Sequence, residues 1–328
     1  MLNRRNIRSK VMQELYSMDR AGDTDLEKSV KRLYTNFENI YKLYFLLLDL
    51  LASLRRMEMD LIERRKKKRF KTPEDLNPDM HLVENRILKF LDNSQALADK
   101  LRKYKIHEIW QNEPELIRYL LDRIKESPYY EEYRKIEHPT FEQDRQFVMD
   151  IYKNIIAPEE KLRQFLENWE INWADDFAIA NTMVMKTLSE LQEDDSPYRE
   201  FPPLFKNEDD KQFGRELLLR TFNNRDKLAE MIKEKTLNWD FDRISQVDKI
   251  LMMLGIAEFL FFPRIPGTVT INEYVEIAKE FSTPKSNQFI NGILDRIYKD
   301  LLAQGKLNKI AASGKEERDE DQNETEQN

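Results

Sequence analysis

The segment VTINEYVEIAKEF occupies positions 269–281, and SNQFINGILD follows at positions 286–295. From the second segment onward, apolar residues recur at spacings of three and four, which is the period of one helix face. We therefore predict a helix whose buried face consists of Ile290, Ile293, Leu294, Ile297 and Leu301.

Two details of these segments lead to further structural predictions. Thr270, with Glu273 three residues later, fits a capping box, so a helix is expected to begin at Thr270. This explanation is preferred to a catalytic role for Glu273. Gly292 lies inside the second helix, where glycine costs about 1 kcal/mol relative to alanine. We expect close packing against a neighbouring helix to account for it.

The composition favours helices along the whole chain. Of the 328 residues, 35% are charged and only 7 are glycine, a balance that suits helices with solvated charged faces. No stretch of useful length alternates as a strand does. We predict an all-α fold, a helical bundle.

The residue inventory argues against most catalytic and metal-binding classes. Cysteine is absent, which excludes disulfides, thiolate metal sites and a cysteine nucleophile. The three histidines, His81, His107 and His138, are too far apart to form a helical pair of metal ligands. The sequence has no glycine-rich phosphate loop and no Ser/His/Asp set. We predict that the chain is not an enzyme and that it needs no metal or cofactor.

Hydropathy predicts a cytoplasmic chain. No apolar run approaches the roughly 18 residues that a membrane span needs. Cations occupy the place of a signal peptide's apolar core near the N-terminus.

The chain divides into three predicted regions. Residues 1–207 form an N-terminal helical region, with helices at 3–19 and 25–62 and proline-punctuated helices up to about 190. Residues 208–304 form a compact C-terminal helical subdomain. Residues 305–328 are acidic, poor in large apolar side chains and expected to be disordered.

The distribution of charge qualifies the net charge of −7. Residues 315–328 contain seven acidic and two basic residues, a net of −5, whereas the first twenty residues have a net of +3. Arg4, Arg5 and Arg8 fall within about one helical turn at a helix N-terminus, where phosphate oxygens are good ligands. The residue types alone fit both an RNA site and a solvated helix end.

The order of several segments resembles the NusB antitermination factor family. These segments are an acid-led helix at 245–259, the INE..E.AK.F pattern at 271–281, the S..F.NG.LD pattern at 286–295, and an arginine-rich first helix ending in Gln13-Glu14-Leu15-Tyr16. The resemblance implies two helical subdomains and no catalysis. It also implies binding of single-stranded boxA RNA of ribosomal RNA leaders together with the ribosomal protein NusE, within the RNA polymerase antitermination complex.

The resemblance and the residue types together give the predicted sites. Cations and flat or amide side chains suit single-stranded RNA, which predicts RNA binding by Arg4, Arg5, Arg8, Lys10, Lys279, Lys285, Gln288, Phe289 and Asn291. Phe289 fits a core position equally well. Tyr16 and Asp248 match family positions on the partner surface. For Asp248, a helix-start charge is the alternative.

The chain departs from the family in several respects. About 110–150 extra residues, within an insertion spanning about 25–200, separate the first helix from the C-terminal subdomain. Tyr274 stands where members often have alanine, and the first helix has fewer arginines than in many members. The alternative function is therefore a helical protein-binding scaffold of the transcription or ribosome-assembly machinery that lacks RNA binding of its own.

Two features of the insertion remain open at the level of sequence. Residues 64–71 contain seven cations, which fit either an additional RNA contact or a solvated helix end. Trp110, Trp169 and Trp173 are expected in the core.

Overall fold

The computed structural model of the chain describes residues 1–236 and 241–307. The chain forms two compact units. The inserted unit consists of Met1–Leu2 and Tyr34–Lys206, and the terminal unit consists of Asn3–Leu33 with the described residues from Asn207 onward. The first helix thus belongs with the C-terminal helices, whereas the prediction from sequence groups it with residues 1–207. Most of the predicted disordered tail lies outside the described residues.

The helices of the described residues are, in chain order, α1 (Arg4–Ala21), α2 (Leu26–Lys66), α3 (Pro73–Leu76), α4 (His81–Glu84), α5 (Arg86–Asn93), α6 (Gln95–Tyr104), α7 (Pro114–Lys125), α8 (Pro128–Tyr133), α9 (Phe141–Ile151), α10 (Glu160–Trp169), α11 (Trp173–Glu190), α12 (Glu208–Asn223), α13 (Arg225–Lys235), α14 (Gln246–Phe261), α15 (Gly267–Phe281) and α16 (Ser286–Ala303).

The predicted all-α class is confirmed. Over residues 1–236 and 241–307, the only β pairing is an isolated bridge between Leu2 and Phe205. The helices predicted at 3–19 and 25–62 are observed as α1 and α2. Gly22, with a φ of +62°, ends α1 in the left-handed conformation that glycine adopts without steric cost.

The inserted unit is built around the long helix α2. Six consecutive residues, Leu43–Leu48, are each at most 1% exposed, so this stretch of α2 has no solvent face. The indole N–H groups of Trp110 and Trp173 donate to backbone carbonyls of α2, at Leu46 (2.8 Å) and Asn39 (3.0 Å). Both tryptophans are buried, as predicted, and each indole has the partner that a buried indole needs.

The prediction that Trp169 is a core residue is wrong. Trp169 is the last residue of α10, and 53% of it is exposed. Its ring contacts Phe165 on one side only, at 6.1 Å between centroids. Hydrophobic character alone therefore misplaces an aromatic side chain at a helix end.

In the terminal unit, α14 is the central helix. Its residues Ile250, Leu251, Met252, Leu254, Ile256 and Ala257 are fully buried, and it packs against α1, α12, α13, α15 and α16. A β-carbon added at Gly255 would lie 2.9 Å from the Leu294 side chain, so the small residue lets α16 approach closely. The predicted buried face of α16, Ile290 to Leu301, is confirmed.

The described helices include none with the length and apolar character that crossing a bilayer requires.

Candidate nucleic-acid interface

Helix α1 is fixed in the terminal unit by its apolar stripe. Ile7, Val11, Leu15 and Met18 are all at most 5% exposed, as their spacing predicts. The Asn3 side chain accepts a hydrogen bond from the Asn6 backbone, and the Asn6 side chain accepts one from the Asn3 backbone, which closes a capping box at the helix start.

Two solvent-accessible arginines in the first turn of α1, Arg4 and Arg5, both meet carboxylates. Arg4 Nε lies 2.8 Å from Asp210 Oδ1. Arg5 donates to both oxygens of Glu273, from Nη2 at 2.9 Å and from Nε at 3.1 Å. Their side chains are 41% and 44% exposed, so each guanidinium is held by one acid while part of it faces solvent.

Arg8 lies in the interior of the protein. Its side chain is 2% exposed and meets the fully buried Glu258 through two hydrogen bonds, Nε to Oε1 at 2.6 Å and Nη2 to Oε2 at 2.9 Å. The guanidinium also lies 5.2 Å from the ring centroid of Phe213 and 5.8 Å from that of Tyr274. Bidentate pairing of this kind fixes the geometry as well as the charge.

Two hydroxyls also donate to Glu258. Tyr274 donates to Oε1 at 2.6 Å and Thr270 to Oε2 at 3.1 Å. The predicted capping box at Thr270 is therefore wrong, because α15 begins at Gly267 and Thr270 is a buried residue of its first turn. Tyr274, one of the departures from the family pattern, supplies one of the donors that this buried carboxylate requires.

The arginine pKa values follow from these contacts. Burial lowers the pKa of Arg8, but the hydrogen bonds and charge of Glu258 outweigh burial and hold that pKa above its ordinary value. The hydrogen bond that Arg5 donates to Glu273 raises the pKa of Arg5. Both side chains are cationic at any physiological pH.

The structure places two of the predicted RNA-binding cations, Arg8 and Lys10, where RNA cannot touch them. Every residue from Ile7 to Met12 is buried, and Lys10 is 3% exposed. Arg8 follows Ile7 and Lys10 precedes Val11, so both residues flank the apolar stripe. The buried face of α1 is wider than the stripe and includes both side chains. The predicted RNA-binding surface therefore loses these two cations.

A polar row on α15 links Arg5 to Lys279. Glu273 pairs with Arg5, and Glu276, one turn further on, pairs with Lys279 at 2.5 Å. The Lys279 side chain is 51% exposed. Glu273 and Lys279 are six positions apart, about 9 Å along the helix axis and about 120° around it, so the row runs obliquely across α15.

The loop after α15 is held by Asp248, which is a buried residue and not an exposed partner contact. Its carboxylate accepts hydrogen bonds from Ser282 at 2.6 Å and from Ser286 at 2.8 Å, and its side chain is largely buried. Its backbone N–H donates to the Ser245 hydroxyl at the start of α14. Asp248 therefore fixes the position at which α16 begins, and a partner protein cannot reach its carboxylate in this arrangement.

The start of α16 presents the remaining predicted RNA-binding residues. Lys285, Gln288 and Asn291 are exposed, and Phe289 is half-buried. An exposed lysine, two exposed amides and a partly accessible ring are the side chains that single-stranded RNA uses.

Gly292 does not have the close neighbour that its position predicts. A β-carbon added at Gly292 would meet no atom within 4 Å, so helix packing does not explain the glycine. The close approaches in α14 and α15 occur instead at Gly255, against Leu294, and at Gly267, against the Tyr298 ring. The space beside Gly292 lies next to the exposed Asn291.

Tyr16 is exposed, at 37%, on α1. The end of α1 is joined to the start of α14 through a 2.5 Å hydrogen bond from Gln246 to Asp19. Among the described residues, no group of His, Asp or Glu is placed to hold a metal ion.

Part of the chain is similar in sequence to known proteins. The family model described as "NusB family" matches residues 179–299. The transcription antitermination protein NusB of Salinibacter ruber is 34% identical over 136 residues, which cover 40% of this chain and 85% of that protein. The chain belongs to the NusB family. The homologue of Methylacidiphilum infernorum is 36% identical over 141 residues, 43% of this chain and 87% of that protein.

Other NusB proteins match shorter parts of the chain. The transcription antitermination protein NusB of Natranaerobius thermophilus is 44% identical over 95 residues, 29% of this chain and 68% of that protein. A solved structure of T. maritima NusB is 31% identical in sequence, with a TM-score of 0.28. The match covers 37% of this chain and 75% of that chain. NusB-family members are non-enzymatic transcription antitermination factors, and this NusB-family chain is accordingly not an enzyme.

Proposed function

We propose that this NusB-family chain is an RNA-binding adaptor in the antitermination of ribosomal RNA operons. It binds boxA-type single-stranded RNA together with the ribosomal protein NusE and acts in the cytoplasm, within the RNA polymerase antitermination complex. The observation that carries the proposal is the row from Arg5 to Lys279 across α15, together with the exposed Lys285, Gln288 and Asn291 at the start of the next helix, α16.

The chemistry of this row suits an RNA strand that displaces acids. Arg5 and Lys279 each meet one carboxylate and remain about half exposed, so a phosphate can replace or share the carboxylate. Lys285 adds a third cation, and Phe289 offers a partly accessible ring for a base. With two or three phosphates bound, log K should fall with log salt at a slope of about −1.4 to −2.1.

Arg8 and Arg4 have supporting roles in this proposal. The Arg8–Glu258 pair fixes α1 against α14 and α15, which determines where the Arg5 guanidinium lies. Arg4 is exposed enough to meet the edge of the strand after leaving Asp210.

NusE binding is proposed for the surface around Tyr16. An exposed aromatic with a polar tip is a common interface residue. Asp248 would contribute to NusE binding only indirectly, because its buried carboxylate accepts hydrogen bonds from Ser282 and Ser286.

A scaffold without RNA binding is the second candidate, and one observation favours it. Each of the three arginines in the first two turns of α1, Arg4, Arg5 and Arg8, already has a carboxylate partner. An RNA strand must therefore compete with the protein's own acids.

The decisive experiment measures the anisotropy of labelled boxA RNA with and without NusE. The double variant Arg5→Gln/Lys279→Gln should bind RNA at least tenfold more weakly, because two phosphate contacts are lost. Glu273→Gln should bind more tightly, because Arg5 is released from its competing acid. A control with the same change of net charge is Lys227→Gln/Lys299→Gln, which alters α13 and the far end of α16.

The two candidates give different results. If wild-type protein captures NusE but binds no boxA RNA in either setting, the scaffold is correct. If RNA binds and neither the double variant nor Glu273→Gln changes its affinity, RNA contacts another surface.

A further inference from the structure

The segment Arg64–Lys71, here called the basic segment, differs electrostatically from the rest of the protein. Seven of its eight residues are cationic, and all but Arg65 are exposed. It spans the end of α2 and the loop that follows, in the inserted unit.

Most cations of the basic segment have no acidic partner. Within the part of the chain that the structure describes, the side chains of Arg64, Arg65, Lys66, Lys67 and Lys71 form no ion pair, and Lys68 pairs with Asp75 at 3.1 Å. Most arginines elsewhere in the described residues, including Arg4, Arg5 and Arg8 of α1, do meet carboxylates. The positive charge of the basic segment is therefore available to an external anion.

The helix dipole accounts for only part of this charge. Cations in the last turn of a helix stabilise it, which explains Arg64, Arg65 and Lys66. The four cations from Lys67 to Lys71 lie beyond the end of α2 and gain nothing comparable from the dipole.

The loop beyond α2 has a defined local structure. Lys68 donates to both oxygens of Asp75, and the Asp75 side chain accepts the backbone N–H of Thr72 in a capping box at the start of α3. Phe70 stands between these anchors with 84% exposure, and the Arg69 guanidinium lies 5.7 Å from its ring centroid. An exposed ring among unpaired cations offers both a base-stacking face and phosphate ligands.

We propose that the basic segment is a second contact for single-stranded RNA, which is separate from the α1–α15–α16 surface. Arg64, Arg65, Lys66, Lys67 and Lys71 bind phosphates irrespective of sequence, and one base stacks on Phe70. The inference extends the proposed function, since it assigns an additional stretch of RNA to the inserted unit.

An anionic membrane surface is the competing ligand, and the structure favours RNA over it. Membrane-surface binding relies on an amphipathic helix with a broad apolar face. Here the exposed apolar side chains are Phe70 and Leu76, and α3 is a single turn.

The test uses the full chain and a labelled oligouridylate of about 16 nucleotides, which lacks a boxA sequence. The quintuple variant changes Arg64, Arg65, Lys66, Lys67 and Lys71 to Gln. Its salt slope should be shallower by about 2–3.5, since each phosphate contact on a single strand contributes about 0.7. A control removes the same number of charges elsewhere in the inserted unit, at Lys89, Lys100, Lys103, Lys135 and Lys153, and should keep the wild-type slope.

A second pair of variants tests the stacking face without changing charge. Phe70→Ala should weaken oligouridylate binding about fivefold or more, and Phe70→Trp should restore it. Because Phe70 is almost fully exposed, neither change should alter the circular dichroism spectrum.

Each outcome decides the inference. The inference is overturned if the quintuple variant keeps the wild-type salt slope, or if the wild-type protein binds no oligouridylate. It is also overturned if the quintuple variant loses binding to phosphatidylglycerol vesicles but keeps its binding to oligouridylate. The Arg5→Gln/Lys279→Gln variant separates this inference from the proposed function, because its affinity for boxA RNA should fall at least tenfold while its affinity for oligouridylate stays close to that of the wild type.

Discussion

Replacing Arg8 by methionine should destabilise the terminal unit strongly. Methionine preserves much of the apolar contact of the arginine stem but removes its charge. Glu258 is 0% exposed and accepts two hydrogen bonds from Arg8 and one each from Thr270 and Tyr274. After the substitution, the buried carboxylate loses its cationic partner and two of its hydrogen bonds, while the neutral hydroxyls of Thr270 and Tyr274 stay.

The expected loss is about 3–5 kcal/mol, the usual cost of removing one partner of a buried ion pair. Domains have total unfolding free energies of about 5–15 kcal/mol. For a unit of this size, the loss corresponds to a decrease of roughly 6–20 °C in Tm. Scanning calorimetry measures this decrease.

Two control variants give the result its meaning. Arg4→Met makes the same change four residues earlier, where a 41% exposed side chain forms one ion pair, and should cost only about 0.2–1 kcal/mol. The double variant Arg8→Met/Glu258→Gln removes both charges and should be more stable than Arg8→Met alone. If Arg8→Met unfolds within about 1 kcal/mol of the wild type, or if the double variant loses the sum of both single effects, the buried pair does not hold α1 in place.

Three further perturbations test local features. Gly292→Ala should raise stability by about 0.5–1 kcal/mol in urea unfolding, because open space surrounds it; destabilisation would reveal a hidden contact. Asp248→Ala should cost about 2–3 kcal/mol through two lost serine hydrogen bonds, and Asp248→Asn should cost less. Burial raises the pKa of Asp79, but hydrogen bonds from His81 and Tyr130 lower it below its ordinary value. The stabilisation that Asp79 provides is therefore complete above the ordinary carboxyl pKa and is lost as pH falls through the folded-state pKa. Asp79→Asn should reduce this loss of stability in acid, measured as the urea midpoint at a series of pH values.

Helix positions and apolar faces could be predicted from sequence because they depend on local periodicity. The stripe from Ile7 to Met18 and the face from Ile290 to Leu301 are buried as their spacing indicates. Hydrophobic character, by contrast, misplaces Trp169, since it does not report whether another element covers the side chain.

The candidate site was only partly predictable, because its contacts join distant parts of the sequence. The carboxylate that withdraws Arg8 from the surface lies 250 residues away, and no local pattern indicates that pairing. The same holds for Asp248, whose partners Ser282 and Ser286 are more than thirty residues further along the chain. The residue types suggested a cationic patch, whereas acids from α12 and α15 leave it largely neutralised.

The long separation between α1 and its acids also has a consequence during synthesis on the ribosome. Translation at about 5–20 residues per second delays Glu258 by roughly 12–50 s after Arg8 emerges. Throughout that interval the arginines of the nascent first helix lack their carboxylate partners, and its apolar stripe is uncovered. The inserted segment is completed before the helices against which the first helix packs. The first helix is thus made well before the helices that hold it and finds its place only after they appear.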